Sequence, residues 1–209
     1  MEFRLTYQGP LLADTNRSAE VRRARATHKQ EIRKALHPQL KRWWAMSPYL
    51  RPRGFSPQNV PGNVFGRIYP QNTIEGLSAR FGMFGYGFVP LVIRDLELLC
   101  SVDILFLRFG DPGFLVNRVG DLDNRLKTLF DALTIPRDAN QLGLHTSPAE
   151  GETPFFCLLE DDSVITRASV ESDTLLEPVS NPPTENDARV VITVRIRPGR
   201  ITAENVGFA

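Results

Sequence analysis

Asp121-Leu122-Asp123-Asn124-Arg125-Leu126-Lys127-Thr128-Leu129-Phe130-Asp131-Ala132-Leu133 is the stretch on which the reading turns. Leu126, Leu129, Phe130 and Leu133 recur at helical spacing, which predicts an amphipathic helix starting at Asp121 or Asp123. Thr134-Ile135-Pro136 ends it. Upstream, Glu97 to Phe109 carries Leu98, Cys100, Val102, Ile104, Phe106 and Leu107 and reads as a central strand, joined to the helix by a connector from Gly110 to Gly120. Downstream, a polar loop over 137–154 leads to the apolar run Phe155 to Leu159, then to Glu160-Asp161-Asp162 and a strand over Ser163 to Ser169. Farther on, a Pro-rich loop over 177–187 precedes Arg189 to Arg197, where Val190, Ile192, Val194 and Ile196 alternate as a half-buried strand requires.

Working outward to the N-terminus, Phe3, Leu5 and Tyr7 alternate with polar residues in a strand over Glu2 to Gln8, broken by Gly9-Pro10. Asn16 or Ser18 is placed to cap a helix on which Val21, Ala24, His28, Ile32, Ala35, Leu40 and Trp43 recur, with Pro38 expected to kink or split it. Residues 47 to 87 are rich in Pro, Gly and aromatics, lack a clear period, and predict a long irregular excursion, followed by a short strand over Val89 to Arg94. The tail from Pro198 is expected to be loose or to dock at an edge. This order of elements predicts an α+β fold, one domain over 1–209 with a mixed β-sheet packed with helices and insertions around 47–87 and 137–154.

Of the residues, 42% are hydrophobic and 23% charged, a balance that supplies a real core and excludes a disordered chain. No apolar run reaches the ~20 residues that span a bilayer. Met1-Glu2-Phe3-Arg4 opens directly into an alternating pattern without the apolar core of a secretory signal, so a cytoplasmic location is expected. Cys100 and Cys157 sit in apolar runs and read as buried thiols, neither a disulfide scaffold nor a zinc site. The net charge is only +1, but Arg17 to Arg42 is a basic block whose members Arg22, Arg25, Lys29 and Arg33 are candidate phosphate contacts. The alternative for that block is an ordinary solvated helix face.

The acidic residues carry the chemistry. In an extended segment Asp121 and Asp123 point to one side, where two carboxylates share a hard cation, and Asp123 is also placed to cap the helix. Lys127 follows Asp123 by one helical turn. If folding adds carboxylates from Glu160-Asp161-Asp162, the cluster needs cations, and Mg²⁺ with its oxygen ligands suits it and suits phosphodiester hydrolysis. The plainer alternative is a helix cap, an i,i+4 ion pair and an acidic turn.

These pieces, together with Phe130-Asp131-Ala132-Leu133 and Asp161-Asp162-Ser163-Val164-Ile165, resemble the signature of the RusA-type Holliday-junction resolvases. The family pattern is Asp-hydrophobic-Asp-Asn, a Lys four residues past the second Asp, an Asp-Ala/Ser-Leu helix end, and an Asp-Asp pair before a strand. The resemblance covers about residues 97 to 170 and implies a homodimeric, Mg²⁺- or Mn²⁺-dependent endonuclease that nicks branched DNA in recombination and repair. It implies Asp121, Asp123 and Asp162 as metal-binding catalytic carboxylates and Lys127 as the catalytic lysine. It makes Asp161 an acidic neighbour, Asn124 a support of the motif turn and Asp131 a structural residue at the helix end. Two further readings stand beside it: a catalytically inactive nucleic-acid-binding or assembly protein of the same fold, and a small-molecule phosphohydrolase.

Overall fold

The alternating segments of the sequence build one sheet around a shared apolar face. The computed structural model describes residues 1–14, 18–51, 68–109 and 121–209, the side chain of Asp121 excepted. Strands β1 (Glu2–Pro10), β4 (Leu98–Arg108), β6 (Ile165–Thr174) and β7 (Asp187–Pro198) form a mixed sheet in the order β1-β7-β4-β6. β7 is antiparallel to both β1 and β4, while β4 and β6 run parallel. Leu5, Val102, Ile104, Ile192 and Val194 fill its inner face, each at most 2% exposed. Along β4 every second residue is only partly exposed on the opposite face, which includes Leu99, Leu105 and Leu107. β4 is the expected central strand, and the alternation of β1 and β7 places their apolar side chains on the buried face.

A smaller sheet, β2 (Gly82–Met83), β3 (Tyr86–Val92) and β5 (Phe155–Leu159), has the order β2-β3-β5. β3 and β5 are parallel, and all five residues of β5 are buried. A parallel pair covered on both faces shows no period of two, which explains the continuous apolar run.

Helix α1 (Ala19–Met46) is capped by the Ser18 hydroxyl, which accepts from the Val21 amide. Ile32, Leu36, Leu40 and Trp44, spaced by four, are buried against both sheets. Gln39 holds β1 by accepting from the Thr6 amide at 2.9 Å and donating to the Thr6 carbonyl at 2.7 Å. The His37 ring holds β5, its Nδ1 accepting from the Phe156 amide at 2.8 Å. The expected break at Pro38 does not occur: α1 runs through it, with Leu36, His37 and Leu40 buried on either side. Tertiary packing here outweighs the lost backbone hydrogen bond.

Two further corrections concern the excursion over 47–87. Residues 52–67 lie outside the described part; in the rest, α2 (Ile74–Arg80), capped by Thr73, leads into β2 and β3. The strand expected at Val89 starts earlier, at Tyr86. The C-terminal tail docks, with Phe208 1% exposed, edge-on to Tyr49, and its carbonyl accepting from the Met1 ammonium at 3.2 Å. Cys100 and Cys157 are buried free thiols, and burial pushes both up to about 12. Among the described residues no helix is long and apolar enough to cross a membrane.

Candidate nucleic-acid interface and acidic site

The predicted amphipathic helix is α3 (Asp121–Leu133), with Leu129 and Leu133 in the core. Its buried polar side chains tie down the segment that leaves β1. The Arg125 guanidinium donates to the Leu11 carbonyl, and the Thr128 hydroxyl donates to that of Leu12 at 2.8 Å. The Asp14 amide donates to the Asn124 carbonyl at 3.1 Å. Asp14 therefore lies 3.5 Å from Lys127 Nζ and 3.1 Å from Lys29 Nζ. Burial alone would raise the Asp14 carboxyl, but the two lysines outweigh it and hold the group below its ordinary value.

The expected catalytic residues divide between the two ends of α3. Asp121 is its first residue, with a side chain outside the described part. Asp123 is exposed, and it does not form the i,i+4 ion pair with Lys127, which pairs with Asp14 instead. Lys127 keeps a side chain 59% exposed. The Asn124 backbone carbonyl accepts from the Asp14 amide, a contact that does not depend on its side chain. Asp131 ties α3 to α1: its carboxylate accepts from Lys29 at 2.6 Å.

Asp162 arrives near the other end of α3. Thr134 bridges Leu159, and the Ile135 amide donates to the Leu159 carbonyl at 3.0 Å, so β5 ends beside the helix C-terminus. Asp123 lies roughly 16 Å from Thr134 along the helix axis at 1.5 Å per residue. Asp161 caps the short 3₁₀ turn Asp162–Val164, accepting from the Ser163 amide at 3.0 Å, and pairs with Arg94 at 2.7 Å and with Arg137. Bonding with Ser163, against the upward push of burial and aided by Arg137, holds the Asp161 carboxyl far below the usual carboxylate range. Asp162 is 57% exposed in its side chain and lies 3.4 Å from Arg137. Arg137 was not anticipated: it stands alone in a polar loop with no period to mark it.

The basic block also divides. Arg22 and Arg23 are exposed and Arg25 half-buried. Lys29 is held between Asp14 and Asp131 with a side chain 15% exposed. Arg33, expected on the cationic outer face, is instead 2% exposed. It donates to the carbonyls of Thr134 at 2.9 Å, Gln141 at 3.3 Å and Asp131 at 2.6 Å, and to Gln30 Oε1 at 3.1 Å. Two of those carbonyls belong to the last turn of α3 and its exit, where the helix leaves acceptors unpaired. Arg33 is thus a structural cation, and its placement corrects the expectation of a phosphate contact.

The N-terminal half of α1 overhangs this junction and forms one wall of a groove of about 1010 Å³. Arg22, Arg23, Arg25, Lys29, Arg33 and Arg137 line it, with Asp14, Asp131, Asp138 and Asp162, so the lining is net basic. The opposite wall is the segment over 137–146, whose Gly143 has φ +61° and lies where a Cβ would meet the Thr27 backbone. Only glycine fits there, and the Thr27 hydroxyl accepts from the Leu144 amide at 3.0 Å, which fixes the wall to α1.

Asp123 and Asp162 are exposed oxygen donors of the type that Mg²⁺ and Mn²⁺ take, but the length of α3 separates them, so the structure does not bring Asp162 to Asp123 as the shared metal site of the sequence reading requires. Among the described residues no three of His, Cys, Asp and Glu are grouped to hold a metal. Comparison of the chain with protein-family models, with curated proteins and with solved structures finds no match.

Proposed function

We propose that this chain is a metal-dependent endonuclease acting on branched DNA. The observation that carries the reading is the basic groove along α1, which meets Asp162 at one end of α3 while Asp123 and Lys127 stand exposed toward the other. Arg22, Arg23 and Arg25 supply the charge that draws a phosphate backbone into the groove. Asp121 and Asp123, at the start of α3, would hold the cation, which would supply Lewis-acid polarisation of a phosphate oxygen and activation of water; Asp162, at the other end of the helix, lies out of reach of the same ion. Lys127, on a flexible stem, leaves Asp14 to balance negative charge on the scissile phosphate. Asp162 lies beside Arg137 at the groove end of α3, while Asp161 is capped and paired. Branched DNA as the substrate rests on the motif likeness alone, and a symmetric pair of nicks needs two copies of the chain. The test is cleavage of synthetic four-way and flapped DNA with Mg²⁺ or Mn²⁺, compared between wild type and Asp123→Asn; cleavage that Asp123→Asn retains rules the assignment out.

A second reading has its own support. Lys29 and Lys127 already engage Asp14, and Arg137 engages Asp161 and Asp162, so the acids meet the protein's own cations. A DNA-binding protein without cleavage fits that pairing. It predicts salt-sensitive DNA binding that Asp123→Asn leaves unchanged and no metal-dependent product.

A further inference from the structure

The groove along α1 and the exposed half of α3 meet at one carboxylate. Asp14 lines the groove, and its Oδ2 lies 3.1 Å from Lys29 Nζ within it and 3.5 Å from Lys127 Nζ on α3. The two contacts differ in kind. Lys29 has a side chain 15% exposed and a second partner in Asp131 at 2.6 Å, so it is held in place. Lys127 has a side chain 59% exposed and meets Asp14 across an open surface. An ion pair that faces water is weak, so another anion can take the lysine at little cost.

Asp14 itself is firmly seated. The Leu11 carbonyl accepts from Arg125 and the Leu12 carbonyl from Thr128 at 2.8 Å. The Leu12 amide donates to His28 Nε2 at 3.3 Å, and the Asp14 amide donates to the Asn124 carbonyl at 3.1 Å. Arg125 is 6% exposed, Thr128 0% and His28 4%, so buried polar side chains of both helices hold the segment that carries this acid. A carboxylate fixed in front of Lys127 also repels any phosphate that approaches the same lysine. We infer that Asp14 is a built-in competitor for phosphate: it fills the anion position before Lys127, and a backbone phosphate that passes from the groove toward Asp123 must take the lysine from it. The inference rests on the proposed reading that the groove takes a phosphate backbone.

The sign of the effect separates this role from a structural one. Loss of a merely structural acid loosens α3 and weakens whatever binds there, whereas loss of a competitor tightens it. Asp14→Asn keeps the shape and the backbone bonds, leaves Lys29 on Asp131 and frees Lys127, to which Asp123 offers only a weak exposed i,i+4 pair. One phosphate contact is gained. The slope of log affinity against log salt for a four-way junction, without divalent metal, is expected to steepen by about 0.9, and affinity at 0.1 M salt to rise roughly five- to tenfold. Calorimetry with inorganic pyrophosphate is expected to show tighter binding as well, and Asp14→Asn/Lys127→Gln is expected to lose both gains. A variant folded by urea denaturation that binds neither probe more tightly overturns the inference, as does a gain that survives Lys127→Gln. The wild type gives a measurement that no folding defect can spoil. The chain has four lysines, Lys29, Lys34, Lys41 and Lys127, so reductive ¹³C-methylation yields a small set of resonances with the charges kept. Pyrophosphate is expected to move that of Lys127, and no movement overturns the inference. Pyrophosphate gain without junction binding keeps the inference and refutes the proposed function; junction cleavage by the wild type with no gain in Asp14→Asn refutes the inference alone.

Discussion

Replacing Arg33 with methionine tests whether a buried cation holds the floor of the groove. Methionine has a similar length and fills much of the same space, so the change removes charge and donors rather than volume. The wild-type guanidinium donates to three carbonyls and to Gln30, and it sits at 2% exposure between α1 and the end of α3. The Asp131 carbonyl keeps the Thr134 hydroxyl as a partner at 3.0 Å, whereas the Thr134 and Gln141 carbonyls and the fully buried Gln30 Oε1 lose the donor that Arg33 supplies. A stranded buried acceptor costs roughly 1–3 kcal/mol. Burial also pulls the guanidinium below its ordinary pKa, with Cys157 and Asp131 opposing, so removing the cation returns part of that cost. Three stranded acceptors at that cost, less the returned part, give a net expectation of about 3–5 kcal/mol of lost stability. For a chain of this size that is a fall of roughly 6–20 °C in Tm. Urea denaturation and calorimetry measure it. A loss below about 1 kcal/mol would refute the structural role. If stability holds while DNA affinity falls, Arg33 contacts phosphate after all.

Arg22 and Arg23 face the groove without a partner among the described residues, so each alanine substitution should lower the salt dependence of DNA binding by about one phosphate contact, read from the slope of log affinity against log salt. Unchanged slopes would place the DNA elsewhere. Stability should fall with acid in two stages. Burial holds His28 and His37 below the ordinary value of 6.5, so unfolding takes up protons and stability is lost as pH drops from about 6.5, by up to roughly 1.4 kcal/mol per pH unit for each ring. His28→Gln with His37→Gln should flatten that slope even if the variant starts less stable; an unchanged slope would exclude the histidines. The second stage lies below the ordinary carboxyl value of 3.8, because Asp187, despite burial, is held at about 2 by Ser180 and Thr184. Asp187→Asn should remove part of the loss between pH 4 and 2, measured by denaturant midpoint.

The first sheet was largely legible because β1 and β7 have one dry face, which writes a period of two into the sequence. α3 was legible for the same reason at a period of 3.6. The start of β3 and the whole of α2 were not, since β3 is buried on both faces and contains Pro90, and α2 has only seven residues. Arg33 and Lys29 look like surface cations in sequence. A signal was present for Arg33: it adjoins Ile32 and precedes His37 by one turn, inside a buried stripe wider than the aliphatic residues alone mark. The long-range partners Asp14 and Arg137 left no trace, because their roles come from chain segments that meet only in the fold. The separation of Asp162 from Asp123 by the length of α3 depends on where β5 ends, which no local pattern records.

The central claim is metal-dependent cleavage, and one measurement bears on it most directly. The purified chain is incubated with a labelled four-way junction and Mg²⁺ or Mn²⁺, beside Asp123→Asn of equal thermal stability. The account predicts nicked product that needs the added metal and that disappears in Asp123→Asn while junction binding persists. A well-folded wild type that binds the junction and leaves it uncut with either ion would contradict it.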